Sequence, residues 1–361
     1  MRVVGKMSKE STEWLNTQTL QGFTDARGHA WHYLASAQGV EPNHYAGAIP
    51  VEDVRRRLFD WEPVSVPVTA TVPESTVMDE NGVTTTPGYE IIDTDRQAIV
   101  RPDTRTILGV FKSSFVAHSY AEWLTSKVDT ILGGNLGIGS AGLLKGGAVA
   151  WVQAELSETV EHKSGVAFRP FLTATTSLDG SLSTTYLAGN KLVCCDNTLS
   201  AALGDSGALR IKIKHSKYSL AKINTIQDAL GLVQTQAEDF GAVLDDLTSD
   251  TVTDAELAKF LDSYVLMTDD NGEAKTGRAL TMAEHKRDGL TGLLNHDNRV
   301  SPWKGTKFGV LQMCNTYEQH EGIIRGQMGR AERNAMEFLR GSVDKLDREV
   351  LDLLGKVRQD A

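Results

Sequence analysis

Cysteine is scarce: the 361 residues hold three, at positions 194, 195 and 314. Zinc sites need thiolates or imidazoles in spaced pairs, and no C-x-x-C with a second pair or with histidines in register is present. A disulfide-stapled scaffold is excluded by the same scarcity. Long hydrophobic runs are missing too. The longest, such as "AVAW" and "ILGV", fall far short of the roughly 20 residues that span a bilayer. The N-terminal "MRVVGKMSKE" starts basic but carries no apolar stretch of signal-peptide length, so the expected location is the cytoplasm, with the cysteines as thiols. Neither G-x-x-x-x-G-K-[ST] nor G-x-S-x-G occurs, which removes the P-loop and the nucleophile elbow from consideration.

Positive charge is in deficit overall, with 37 Lys and Arg against 47 Asp and Glu, a net of −10. Its distribution is uneven. Residues 96–222 hold 14 Lys and Arg against 9 Asp and Glu, whereas residues 1–95 hold 7 against 14 and residues 223–361 hold 16 against 24. A positive centre between acidic flanks is a candidate polyanion surface that the average charge conceals. Hydrophobic residues make up 40% of the chain, enough for a substantial core. Three regions are expected: an acidic N-terminal extension over 1–95, a basic α+β core over 96–236, and an acidic helical region over 237–361.

Periodicity sets the expected elements. Residues 9–36 and "VEDVRRRLFDW" after Pro50 read as helices, and "VSVPVTATVPE" alternates as a strand with proline at its edges. "MDENGVTTTPG" contains Asn-Gly and reads as a hairpin tip or loop. "RQAIVR" and "TRTILGVFKSSF" form a strand pair around Pro102-Asp103, and "AHSYAEWLTSKVDTILGG" is a helix that crosses the sheet. Further strands follow in "AGLLKGGAVAWVQAELS", "VAFRPFLTATTS" and "STTYLAGNKLVCC". Beyond "RIKIKHSKYS" the spacing is helical, with a T-x-x-E capping box from Thr253 to Glu256. The fold class is α+β: a central antiparallel β-sheet with a crossing helix, and a mostly helical C-terminal region.

Several motifs invite chemistry. Gly137-Ile-Gly139-Ser-Ala-Gly142 matches G-x-G-x-x-G, but a helix precedes it and a strand follows, the reverse of the dinucleotide order, so a turn or hairpin is expected. Pro102-Asp103 with Glu161-His162-Lys163 could assemble a metal-dependent nuclease core; ordinary surface charge accounts for the same residues. His32, His44, His118 and His296 lack ligand spacing. Cys194 and Cys195, in "KLVCCDNTL", read as strand residues feeding the cap of a short helix, "DNTLSAALG". No catalytic residue, metal site or cofactor is assigned.

"RIKIKH" carries the strongest functional signal. On a strand, Arg210, Lys212 and Lys214 share one face while Ile211, Ile213 and His215 share the other. With Lys217 and Lys222 they make a basic stripe suited to phosphates, or an edge strand guarded by charge. Arg101, Lys112, Lys145, Arg169 and Lys191 complete the candidate DNA-binding set. Phe111, Phe115, Trp151, Phe168, Phe171 and Tyr186 could stack bases or fill the core. In the C-terminal region, Met336, Leu339, Val343, Leu346, Val350 and Leu353 read as one apolar seam for self-association or for a host or phage protein.

The segments "RQAIVRPDTRTILGVFKSSF", "SAGLLKGGAVAWVQAEL", "TSLDGSLSTTYLAGNKLVCCDNTLSAAL" and "IKHSKYS" resemble a family of phage and plasmid-like proteins known by a domain of unknown function. "AWHYL…WEPVSVPV" and "GTKFGVLQMCNTYEQHE" resemble its flanks. In that family Asn197, Thr198 and Leu199 close a strand-to-helix signature. The strand order also resembles the core of single-strand annealing proteins such as the Erf, RecT and Red-beta recombinases and the eukaryotic annealing mediators. That resemblance implies a non-enzymatic protein that binds and anneals single-stranded DNA in recombination, as a homo-oligomer or ring. A metal-dependent nuclease and a modulator of a host protein are the alternatives.

Overall fold

A computed structural model describes residues 9–26, 40–80, 82–92, 94–124, 128–129, 132, 136–192, 198–199, 210–213, 227–269, 271–324 and 329–359. Helix α1 (Lys9–Gln18) runs directly into strand β1 (Thr19–Gln21). The helix expected over 9–36 therefore stops at Gln18, where a distant side chain takes over its last carbonyls. The Asn43 side-chain amide donates to the carbonyls of Leu15 (2.7 Å) and Thr19 (3.1 Å), and Thr19 Oγ1 donates to Leu15 O (2.6 Å), so side chains satisfy the helix end. Helix α2 (Val51–Leu58) begins after Pro50, as expected, and buries Val54 and Leu58.

Strands β2 (Val64–Pro67), β3 (Ala70–Val72), β4 (Ser75–Asp79), β5 (Gly82–Thr86), β6 (Tyr89–Ile91) and β7 (Arg96–Arg101) form one interrupted antiparallel ribbon. β2 pairs with β7, β3 with β6, and β4 with β5, the last pair closing at Asp79 opposite Gly82. At its base, β8 (Thr106–Lys112) adds to β7 across the turn after Pro102.

Helix α3 (Tyr120–Trp123) is capped by Ser119, whose hydroxyl accepts the Glu122 N–H. Strands β9 (Leu136–Leu144), β10 (Val149–Leu156), β11 (Val160–Glu161), β12 (Ala167–Ser177), β13 (Thr184–Leu192), β14 (Thr198–Leu199) and β15 (Arg210–Ile213) then build the main sheet. Its order is β1-β9-β10-β12-β13, with β14 and β15 both on the outer side of β13 and β11 beside β12; all pairs are antiparallel. Thr198 and Leu199 pair back onto Lys191 and Asn190 as strand residues, so they do not open the expected helix. Cys194 and Cys195 lie outside the described residues.

The Gly137–Gly142 segment is a correction of a different kind. It is neither a turn nor a hairpin but the interior of β9, and its glycines make room for large neighbours. A Cβ on Gly142 would sit 2.0 Å from the Trp151 ring, and one on Gly139 would sit 2.3 Å from the Glu155 carboxyl carbon.

Alternation divides the sheet into two buried faces. One row runs Leu20, Ala141, Val152, Ala174, Tyr186 and, by register, Ile211. This face packs with Tyr120, Trp123, Leu124, Phe59 and Ile99. The adjacent row on the opposite face runs Thr19, Gly142, Trp151, Thr175, Thr185 and Lys212. Trp14 of α1 stacks on Trp151 at 6.3 Å between ring centres and donates its indole N–H to Leu143 O.

The C-terminal region is helical: α4 (Gln227–Ser249), α5 (Asp254–Tyr264), α6 (Gly277–His296), α7 (Lys307–Thr316), α8 (Arg330–Arg340) and α9 (Ser342–Gln359). Both bonds of the Thr253–Glu256 capping box are present. The division drawn at 237 falls inside α4, which packs on the sheet through Phe240 against Phe168 at 4.8 Å. The apolar seam is also not one seam. Gly341, left-handed at φ 80°, ends α8, so Met336 and Leu339 turn to the sheet beside Trp151 while Val350 and Leu354 join the helical core. The described seam residues serve internal packing. No helix among the described residues is long and apolar enough to cross a membrane.

Two outcomes test this packing. Gly142→Val should lower unfolding free energy by about 3 kcal/mol, the upper end of overpacking costs, in a denaturant titration; an unchanged midpoint would mean Trp151 is free to move. The second concerns acid. Burial lowers the pKa of His44 to about 4, and burial also lowers that of His118 against the opposing pull of Glu122. A depressed folded pKa means that the unfolded chain takes up the proton first, so this stability is present above about pH 6.5 and is lost as pH falls toward 4. Melting temperature should drop through that window, and His44→Asn should shrink the drop.

Candidate nucleic-acid interface

The ten candidate cations divide according to what their strands place beside them. Arg101 ends β7 and is 9% exposed. Its Nε and Nη2 donate to the two carboxylate oxygens of Asp103 at 2.9 Å each, Nη1 donates to Gly146 O at 2.9 Å, and its guanidinium lies 4.6 Å from the centre of the Trp61 ring. The hydrogen bonds from Arg101 hold the Asp103 carboxyl below the usual range. This arginine pins the ribbon base to the β9–β10 hairpin and offers no face to a phosphate.

Arg169 is more enclosed still, at 1% exposure in the middle of the sheet. Its Nε donates to Glu155 Oε2 at 3.1 Å, and its other nitrogens donate to Leu156 O, Ser157 O (3.4 Å) and Thr159 Oγ1 (3.3 Å), with the Phe23 ring 4.5 Å away. Lys145 donates to Asp179 at 2.7 Å. Burial works to raise the Asp179 pKa, but the bonds from Lys145 and Ser181 outweigh it and hold that carboxyl low. Arg101 and Arg169 are thus internal staples instead of strand-facing cations, and Lys145, whose side chain keeps 29% exposure, is a staple at the surface held by Asp179. An arginine fork buried near a carboxylate gains more from that partner than from solvent, and composition alone cannot show which cations have one.

Lys112 is exposed on β8, directly opposite Arg96. Lys191 stands on β13 opposite Arg169 and Thr198. Arg210 and Lys212 occupy β15, opposite Leu187 and Thr185. Lys214, Lys217 and Lys222 lie outside the described residues. Register puts Arg210 and Lys212 at the outer ends of two neighbouring rows on one sheet face, with Ile211 at the end of the apolar row opposite. Of the aromatic candidates, Trp151, Phe168, Phe171 and Tyr186 are core, while Phe111 and Phe115 stack on each other at 4.0 Å.

The sequence offered little sign of a polar row inside the sheet: Gln21, Ser140, Gln153 and Thr173 sit side by side, all buried. By register this row continues through Leu187 to Arg210.

The two halves of the nuclease core do not meet. Asp103 is tied through Arg101 to Gly146, near the Ser177 end of β12, where Leu178 N–H donates to Ala148 O. Glu161 pairs with Ala167 at the other end. The 11 residues between span about 35 Å at ~3.3 Å per residue. His162 and Lys163 instead contact Asp245 of α4 at 3.4 and 2.9 Å, and the His162 ring bonds Ser164 Oγ at 2.8 Å, closing the β11–β12 turn. Lys163 and Asp245 border an open groove of 710 Å³ lined also by Asp246, Ser249 and Trp303. Among the described residues no three His, Cys, Asp or Glu side chains converge as metal ligands would.

These features define a mixed α+β protein whose antiparallel sheet is buried on both faces and ends in a short basic strand. The chain belongs to the family described as a domain of unknown function (DUF932), whose model matches residues 107–338. That span begins in β8 and ends in α8, so it takes in the main sheet from β9 onward and most of its helical cover. No curated protein and no solved structure matches the chain.

The staple assignment can be checked directly. Glu155→Ala leaves the Arg169 guanidinium buried without its carboxylate and should cost about 3–5 kcal/mol in chemical unfolding. A loss under about 1 kcal/mol, the size expected of a solvated pair, would return Arg169 to the surface.

Proposed function

We propose that this protein binds single-stranded DNA and promotes annealing, with the basic end of the main sheet as the strand-facing surface. The observation that carries this reading is the register of β15. It lies on the outer side of β13, where register alternates Arg210 and Lys212 with Ile211 along the strand. Two cations are thereby placed on one face at the sheet margin. Lys112, Lys191, Arg210, Lys212, Lys214, Lys217 and Lys222 form the contact set once the three staples are removed. Such a surface reads backbone and leaves bases exposed, which is what annealing requires, and it needs no reacting group.

A salt titration tests it. Lys212→Gln with Lys214→Gln should weaken binding to all single strands alike and reduce the slope of log affinity against log salt by about 1.4, at roughly 0.7 per phosphate contact. Equal loss across sequences is expected because phosphates carry no base information. Unchanged affinity and slope, with more light scattering, would mean that these charges only guard a sheet edge.

A further inference from the structure

The described residues concentrate their exposed large hydrophobic side chains in one place. Of thirteen, ten fall between Val64 and Val110, on the ribbon and its base. Strands β2 to β6 are exposed along nearly their whole length, so the ribbon leaves the body of the protein instead of packing on it. From Val68 to its tip it reaches roughly 35 Å at ~3.3 Å per residue. A two-stranded ribbon standing alone in water is marginally stable, and apolar patches of this size mark interaction sites.

The apolar residues are ordered by register. Near the tip Met78 (82% exposed) is opposite Val83 (62%). In the middle Tyr89 is opposite Val72 and Ile91 opposite Ala70. At the base, β2, β7 and β8 align Val64 with Val100 and Ile107, and Val66 with Ala98 and Val110. Each segment therefore has one apolar face.

Charge selects the occupant. Residues 58–95 contain eight Asp and Glu and no Lys or Arg, which repels nucleic acid and anionic membranes. The complement is on the same chain: Arg96 and Lys112 are directly opposite each other, on the face of Ala98 and Val110, at the ribbon base. Both are exposed. Like charges so placed disfavour each other unless anions are supplied from outside.

We propose that two copies of this chain associate through their ribbons, packed face to face and antiparallel. The acidic tip of each then lies against Arg96 and Lys112 of the other. A two-fold contact of this kind satisfies every element twice, the apolar strip against its equivalent and the acidic tip against the basic base. It places the self-association surface on the N-terminal ribbon and not on the C-terminal helices. It shares only Lys112 with the strand-contact set, and the strand-binding test at Lys212 and Lys214 leaves the ribbon untouched, so the two proposals fail separately.

Sedimentation and light scattering of the full-length protein test it. The unmodified chain should be a dimer that dissociates on dilution. Met78→Asp with Tyr89→Asp should give a monomer with an unchanged melting temperature, since both side chains are exposed. Arg96→Glu with Lys112→Glu should weaken the dimer at least about tenfold, since the two-fold repeats each lost rim pair and four are removed. Adding Glu80→Lys at the tip to that variant should restore part of the lost affinity. A monomeric unmodified chain, or an assembly of unchanged mass and affinity in the Met78 and Tyr89 variant, overturns the proposal.

Discussion

Strand β12 is buried along ten of its eleven residues, and a strand covered on both faces obliges the rest of the chain to supply two covers. One comes from the segment between β1 and α3, through Phe59, Ile99, Tyr120 and Trp123. The other is assembled from the two ends of the chain: Trp14 in α1, and Met336, Phe338 and Leu339 in α8, while Phe240 in α4 adds to the first cover through Phe168. Phe171 in β12 meets Phe338 edge to face at 5.6 Å, so helices more than 150 residues downstream close over the same strand. Each such aromatic contributes roughly 1.5–3 kcal/mol when fully buried. The acidic helical region is thus part of the architecture of the sheet, and cannot be removed without uncovering it.

That double burial also explains where the positive charge went. A sheet with two dry faces can hold a cation only if an anion and several carbonyls come with it, and Arg169 has Glu155 with the carbonyls of Leu156 and Ser157. Gly139 leaves the space that the Glu155 carboxyl fills. Arg101 and Lys145 follow the same rule at the ribbon base and the β9–β10 hairpin, each with its own aspartate. The basic central region is therefore less basic toward solvent than its composition implies. Among the described residues, Arg96 and Lys112 stand at the ribbon base, and Lys191, Arg210 and Lys212 lie on β13 and β15.

The ribbon is the converse case. Its alternation is as regular as that of the main sheet, and its pairing register is complete through β2–β7, β3–β6 and β4–β5. It nevertheless leaves Val77, Met78, Val83 and Tyr89 in solvent. Equal strand patterning leads in one place to a core and in another to an exposed surface. What separates them is whether the chain returns to cover the strand.

Local chemistry was legible in the sequence wherever it acted within a few residues. The helix after Pro50, the turn after Pro102, the Thr253–Glu256 capping box and the antiparallel α+β character all follow from spacing, caps and turn residues that operate regardless of context. Where the deciding partner was distant, sequence alone was silent. Asn43 ends α1 from 28 residues away, Trp151 and Glu155 require the glycines that look like a nucleotide loop, and Gly341 splits a seam whose halves face different cores. The identity of the basic surface belongs to this second kind. A cation is a phosphate ligand or an internal staple according to whether a carboxylate reaches it; Asp103 is two residues from Arg101, but only the tertiary structure brings Asp179 to Lys145 and Glu155 to Arg169.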